Sequence, residues 1–199
     1  MKSTQGPDLR FHEELGPISV ESGTVRVTDP CYASTSAGVH VIDVVPGDYR
    51  ASYGREGGYV REVAIVHSNY NTRELVWNEH LESVGVDSGQ CGFCDAEQYP
   101  KGGTTGDYED TTSFYGRVCA GTLSELSAAL LPYAVFTSSG WGDGSYPVYY
   151  ALDSRRRVVA LAIVFMSDDM DDIDDEWGGE DEDDADDEWG EDECEDSDG

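Results

Sequence analysis

The chain has 199 residues with 42 Asp+Glu against 12 Lys+Arg, a formal net charge of −30; all the basic residues and 21 of the acids precede Ser167, while residues 167–199 hold the other 21 acids and no base. This balance excludes nucleic-acid binding through phosphate neutralisation, which needs clustered Lys and Arg to release counterions, and it disfavours anionic membrane surfaces. No apolar run approaches the ~18 residues of a spanning helix, the longest being 158–166, and Met1-Lys2-Ser3-Thr4-Gln5-Gly6-Pro7 lacks the apolar centre of a secretory signal. The expectation is a cytoplasmic protein with reduced thiols, its five cysteines being odd in number in any case.

After an arm over residues 1–15, apolar and polar residues alternate with the period of two that a half-buried strand requires. Ile18-Ser19-Val20 and Val25-Arg26-Val27 flank Ser22-Gly23 and predict a hairpin. Residues 41–45 and 49–53 flank Pro46-Gly47, a dipeptide suited to a type II turn, and predict a second. Residues 59–66 and 75–77 are further strand candidates, rich in β-branched and aromatic side chains. The segment 108–131 is the one helical stretch. There Phe114, Val118 and Cys119 share a face, Gly121 divides it, and Thr122 with Glu125 offers a capping box for a second short helix. Strands follow at 133–137 and 148–152, separated by the Gly/Ser-rich loop 138–145, and the apolar run 158–166 reads as a strand buried on both faces. Eight to ten short strands with one helical excursion predict a mostly-β fold, a β-sandwich or strongly twisted antiparallel sheet over residues 16–166, with α+β as the second choice.

Residues 167–199 are of low complexity. Asp171-Asp172-Ile173-Asp174-Asp175-Glu176-Trp177-Gly178 recurs twelve residues later as Asp183-Asp184-Ala185-Asp186-Asp187-Glu188-Trp189-Gly190. Self-repulsion and little apolar surface to bury predict a disordered acidic tail. Its field would attract a basic protein surface, with Trp177 and Trp189 as anchors.

Taken in order, Thr28-Asp29-Pro30, Val44-Val45-Pro46-Gly47-Asp48-Tyr49, Val76-Trp77, Gly85-Val86-Asp87-Ser88-Gly89, Phe93-x-Asp95, Phe114-Tyr115 and Ser138-Ser139-Gly140-Trp141-Gly142-Asp143-Gly144-Ser145-Tyr146-Pro147-Val148-Tyr149 resemble a bacterial and phage family of unknown function, numbered four-two-four-one, over about residues 16–166. The resemblance implies a shared fold and brings no activity, cofactor or catalytic residue with it. Cys91-Gly92-Phe93-Cys94 and the acidic tail stand outside its pattern.

Four aspartates sit in or beside turn-forming segments: Asp29 before Pro30, Asp87 before Ser88-Gly89, Asp95 after the cysteine pair, and Asp143 between two glycines. Aspartate is itself a turn former because its side chain bonds nearby backbone N–H groups. Converging with Ser88, Gln90 and Ser139, the four could instead form a polar binding site or activate water for hydrolysis; no cofactor is expected, the alternative being a divalent cation on Asp87, Asp95 and Asp143. Trp141, Tyr146, Tyr149 and Tyr150 add aromatic surface beside Asp143, suited first to a β core and also to recognition. Cys91-x-x-Cys94 fits a redox pair, half of a zinc site completed by Cys31, Cys119 or a histidine among His12, His40, His67 and His80, or two inert thiols. No nucleophile elbow, phosphate-binding loop or dinucleotide fingerprint is present in the sequence. The leading expectation is a binding domain with Asp/Gly/Tyr-rich loops, centred on Asp29, Asp87, Ser88, Gln90, Asp95, Trp141, Asp143 and Tyr146, and a flexible acidic tail. The alternatives are a metal-assisted hydrolase, and an interference protein whose acidic tail imitates nucleic acid.

Overall fold

The computed structural model describes Leu9, residues 13–36 and residues 38–167. The chain divides into units Met1–Ser167 and Asp168–Gly199, and every described strand and helix belongs to the first. Trp177 and Trp189 lie outside the described residues.

Eleven strands and one α-helix take the order β1 (Glu13–Val20), β2 (Val25–Thr28), β3 (Val39–Val41), β4 (Gly47–Glu56), β5 (Tyr59–His67), β6 (Trp77–Val86), β7 (Gln90–Asp95), α1 (Phe114–Thr122), β8 (Ala128–Leu131), β9 (Ala134–Ser138), β10 (Gly144–Leu152) and β11 (Val158–Val164). They form two antiparallel sheets, β1-β4-β5-β11-β10-β6 and β3-β2-β7-β9-β8. The inner faces of both sheets share one apolar core. Ile18, Val20, Tyr49, Tyr53, Ile65, Leu161 and Ile163 come from the first sheet, and Val25, Val27, Phe93 and Val135 from the second. The fold is the predicted mostly-β sandwich, and β1 begins at Glu13, inside the expected arm.

All seven residues of β11 are buried, as its unbroken apolar run predicts. Leu161 and Ile163 enter the shared core, while Ala160 packs on the opposite face with Val66, Ala151, Tyr70, Leu75 and Trp77. The outer face of the second sheet is covered by α1. Phe114 and Val118 pack there with Cys94, Tyr99 and Phe136, the rings of Phe114 and Phe136 meeting edge-on at 5.8 Å. Where β7 pairs with β9 at Phe136, Gly92 is required: a Cβ there would lie 2.0 Å from the Val135 carbonyl oxygen and 2.6 Å from Phe136 Cα.

The chain crosses between sheets where hairpins are expected. β1 pairs with β4 and β2 with β3 and β7, so Ser22-Gly23 carries the chain from one sheet to the other; β3 and β4 likewise belong to different sheets across Pro46-Gly47. Alternation reports which face a strand buries and is silent on its partner. The hairpins lie elsewhere. β4 and β5 turn through Gly57-Gly58, both at positive φ (60° and 91°), as a two-residue turn matching the strand twist requires.

The expected second helix is also absent from the described residues. α1 begins at Phe114, where the Ser113 hydroxyl oxygen accepts from the Gly116 N–H at 2.9 Å, and it runs through Gly121 to end at Thr122. Gly121 is required by packing, since a Cβ would come within 2.6 Å of Ala129 Cα. Residues 128–131, expected as helix, form β8 against β9, so tertiary pairing prevails over the helix propensity of Ala and Leu.

Candidate binding site at the β6–β7 turn

β7 crosses from the β6 sheet through the turn Asp87-Ser88-Gly89, and a buried carboxylate fixes this turn from behind. Asp29 follows β2 directly and is fully buried. Its Oδ1 accepts from the Cys31 N–H at 2.8 Å and the Ser88 hydroxyl at 2.7 Å, and its Oδ2 accepts from the Asp87 N–H at 2.9 Å and the Ser88 N–H at 2.7 Å. Pro30 has no N–H, so the local bond reaches the residue two positions on, the ordinary Asx-turn geometry. A buried carboxylate so supplied with donors repays its desolvation and locks the backbone that supplies them.

The β9–β10 loop is tied to the same turn. The Asp143 carboxylate accepts from the Gly89 N–H at 3.0 Å, and the Ser139 N–H donates to the Gly89 carbonyl at 2.9 Å. Within the loop, the Ser139 hydroxyl and the Tyr146 hydroxyl both donate to the Gly142 carbonyl, at 2.6 and 2.8 Å. Gly140, at φ +61°, admits no side chain because a Cβ would stand 2.5 Å from the Val60 carbonyl oxygen. Tyr146 is buried and packs edge-on to Phe165 at 5.1 Å. What these bonds leave outside is Trp141, 48% exposed, with the exposed residues Asp87 and Asp143.

Residues 31–36 form the neighbouring wall. Arg26, buried in β2, donates to the carbonyls of Ser34, Ala33 and Ser36, each at 3.2 Å, and stacks over the Tyr99 ring at 4.7 Å. Tyr99 donates in turn to the Tyr32 carbonyl at 2.6 Å. Burial, and then the neighbouring Asp87 carboxylate, push the Tyr32 phenol up. Burial, followed by Asp29, pushes the Cys31 thiol up to about 12, and burial pushes the Tyr115 phenol, on the first turn of α1, up to about 12. Tyr32, Cys31 and Tyr115 are therefore protonated donors at neutral pH. Tyr32 and Tyr115 are absent from the sequence-predicted set; Tyr115 does stand in the Phe114-Tyr115 pair, whereas nothing local marks Tyr32.

Of the predicted residues, Asp29, Asp87, Ser88, Asp143, Trp141 and Tyr146 meet at this rim. Gln90 begins β7 beneath it, with its side-chain oxygen accepting from the Thr122 hydroxyl at 2.9 Å, and so joins strand to helix. Asp95 is elsewhere. It ends β7, five residues or about 17 Å along the strand from Gln90. There its Oδ2 accepts from the Glu21 and Ser22 N–H groups at 2.7 and 2.9 Å and its Oδ1 from the Glu97 N–H at 2.9 Å. Burial opposes the charge on Asp95, but these N–H donors outweigh it and hold the carboxyl below its ordinary 3.8. Asp29 and Asp95 are thus turn-fixing carboxylates. Among the described residues no group of three or more His, Cys, Asp or Glu is placed to hold a metal ion, so the alternative of a divalent cation on Asp87, Asp95 and Asp143 finds no site there.

The cysteine pair is divided by the strand itself. Cys91 and Cys94 lie within β7, and residues three apart on a strand face opposite ways. Cys91 packs in the inter-sheet core and Cys94 against α1, and both are free thiols. They can neither form a disulfide with each other nor chelate one ion together.

Among the described residues no helix is long and apolar enough to cross a membrane. No curated protein and no solved structure matches the chain. The turn 87–89 and the loop 139–143 fall inside residues 59–163, which match a known family over more than half of the sequence, and the chain belongs to that family, described as Protein of unknown function (DUF4241).

Proposed function

We propose that this protein is a binding domain that presents the 87–89 turn and the 139–143 loop to a basic protein surface. The observation that supports this reading is the division of labour at the rim: buried Asp29 and the Asp143–Gly89 bond hold the backbone, while Trp141 stands 48% exposed beside two exposed acidic residues. A large aromatic ring on a pre-ordered loop offers contact area at little entropic cost, and such rings with charged neighbours dominate contact energies at interfaces. The excess of 30 negative charges, concentrated in residues 167–199, raises the encounter rate with a positive partner within a Debye length of about 8 Å at physiological salt.

The test is a quantitative pull-down comparing the full chain, Trp141→Ala, Asp87→Asn with Asp143→Asn, and a chain ending at Ser167. The expected result is a set of basic proteins retained by the full chain, lost on the Trp141 change, and released by raising salt from about 0.05 to 0.2 M. Truncation weakens capture without abolishing it. Identical partner lists for the full chain and Trp141→Ala refute the reading.

A further inference from the structure

On the outward face of the second sheet, β2 buries a charge. Val25 and Val27 pack in the inter-sheet core, so Arg26 between them points the other way, yet it is only 2% exposed. The loop joining β2 to β3 covers it. Arg26 Nη1 donates to the Ser34 carbonyl and Nη2 to the carbonyls of Ala33 and Ser36, each at 3.2 Å. Gly38 packs its backbone against the guanidinium, where a Cβ would stand 2.9 Å from Nη2. The Tyr99 ring, 4.7 Å from the guanidinium carbon, donates through its hydroxyl to the Tyr32 carbonyl, so the same hub reaches the wall of the rim.

One acceptor in this set titrates. His40 stands opposite Arg26 in the β2–β3 ladder, between the core residues Val39 and Val41, and is exposed. Arg26 Nη1 donates to His40 Nε2 at 3.0 Å, shorter than the three carbonyl bonds, which lie at the long end of the ordinary range. A guanidinium has no lone pair to offer, so Nε2 is the acceptor and the ring is neutral, with its proton on Nδ1. Burial, with the Arg26 charge second, holds His40 below its ordinary 6.5. In the protonated ring both nitrogens carry hydrogen. Two N–H groups on two cations would then face each other across the former bond, and the exposed ring leaves. The guanidinium is planar and rigid, so losing the bond that aims Nη1 slackens its carbonyl bonds together. Cys94 faces Arg26 from β7, and Cys94, Tyr99, Cys31 and Tyr32 are all pushed up by burial, so they keep their protons in acid. Where β3 meets β6, His80 and Tyr150 line a cavity with residues of β3, which makes His80 the other candidate source of a pH response.

We propose that His40 is a pH-sensitive fastening: neutral, it aims the Arg26 guanidinium at the 33–36 loop; protonated, it lets go, and the loop loosens. The sign follows from linkage. With the loop open the ring stands in water and takes its proton at the ordinary 6.5; with the loop closed it does so only at lower pH. The open form therefore binds more protons below 6.5, and each fall in pH there favours it until the closed form is protonated too. This device is independent of what the rim binds.

An NMR titration of the full chain from about pH 8 to 5 tests it, following the His40 ring and the hydrogen-exchange protection of the Ser36 amide, whose N–H donates to the Ala33 carbonyl at 2.9 Å. His40 is expected to titrate below 6.5, and Ser36 to lose protection with the same midpoint. His40→Gln offers Arg26 an amide oxygen that accepts at every pH, so its Ser36 protection should stay level across the range, with an unchanged melting temperature at pH 7. A His40 midpoint at or above 6.5, Ser36 protection that ignores the titration of His40, or the same loss of protection in folded His40→Gln overturns the proposal; the last assigns the response to His80 or another group. The first two outcomes need no variant.

Discussion

Asp29→Asn removes a charge and an acceptor at the centre of the rim while leaving the side chain's shape nearly unchanged. The carboxylate accepts four hydrogen bonds, three from backbone N–H groups and one from the Ser88 hydroxyl. An amide has one oxygen and can keep two of them; its NH₂ then faces the other two donors. The Ser88 hydroxyl can rotate and accept, which relieves one. At least one buried backbone N–H remains without an acceptor, at about 1–3 kcal/mol, and the two retained bonds lose their charge assistance, about 1 kcal/mol each. The expected loss is about 3–5 kcal/mol, a large part of the ~5–15 kcal/mol that holds a domain folded, and a fall in melting temperature of roughly 10 °C. Urea unfolding followed by tryptophan fluorescence measures it, with an unchanged slope showing that the unfolded state is the same. A loss below about 1 kcal/mol would refute the assignment of Asp29 as the latch of the 87–89 turn. Asp143→Asn, at an exposed residue with one such bond, should cost no more than about 1 kcal/mol in the same assay.

Asp95 is held below its ordinary 3.8, so the unfolded chain binds its proton more readily than the native one; the stability it contributes is present above about pH 3.8 and lost as pH falls through the native value. Asp95→Asn should therefore flatten the acid limb of a stability–pH curve, and an unaltered limb would contradict the three N–H bonds drawn to Asp95. Gly92→Ala places a methyl group 2.0 Å from a backbone oxygen and should cost more than about 3 kcal/mol, abolishing soluble expression or the cooperative melt; a normal melt would show the two strands to be more separable than described. The native Cys31, Cys91 and Cys94 thiols, all pushed up by burial, should resist maleimide at pH 8 while the urea-unfolded chain labels fully, as mass spectrometry of tryptic fragments would show. Labelling of native Cys31 at the rate of a free thiol would contradict its enclosure beside Asp29.

The strand content was legible because apolar alternation and β-branched runs are local signals: 59–66 and 158–166 emerge as β5 and β11 nearly intact. Pairing was not legible, because a strand at Ile18–Val20 looks the same whether it turns back on Val25–Val27 or crosses to another sheet, and only the burial of both inner faces decides. The Gly57-Gly58 hairpin carried its signal in plain view, two glycines between alternating runs. β7 was hidden by its own composition: Gln90-Cys91-Gly92-Phe93-Cys94-Asp95 has neither alternation nor β-branched residues, since one face packs in the core and the other under a helix. At the rim, aspartates beside glycines pointed to the right turns. Whether a given carboxylate is buried as a latch, as Asp29 is, or belongs to an exposed residue, as at Asp87, depends on which loops the topology brings together.

The most direct test of the braced rim is native-state hydrogen exchange at the Asp87, Ser88 and Gly89 amides. These lie in a surface turn, yet each donates to a carboxylate, two of them to one that is fully buried. They should exchange orders of magnitude more slowly than the amide of exposed Gly103, and the protection of Asp87 and Ser88 should vanish in Asp29→Asn. Exchange of all three at the Gly103 rate in the unmodified chain would show that the turn is not held, and the account of a pre-ordered recognition rim would fail with it.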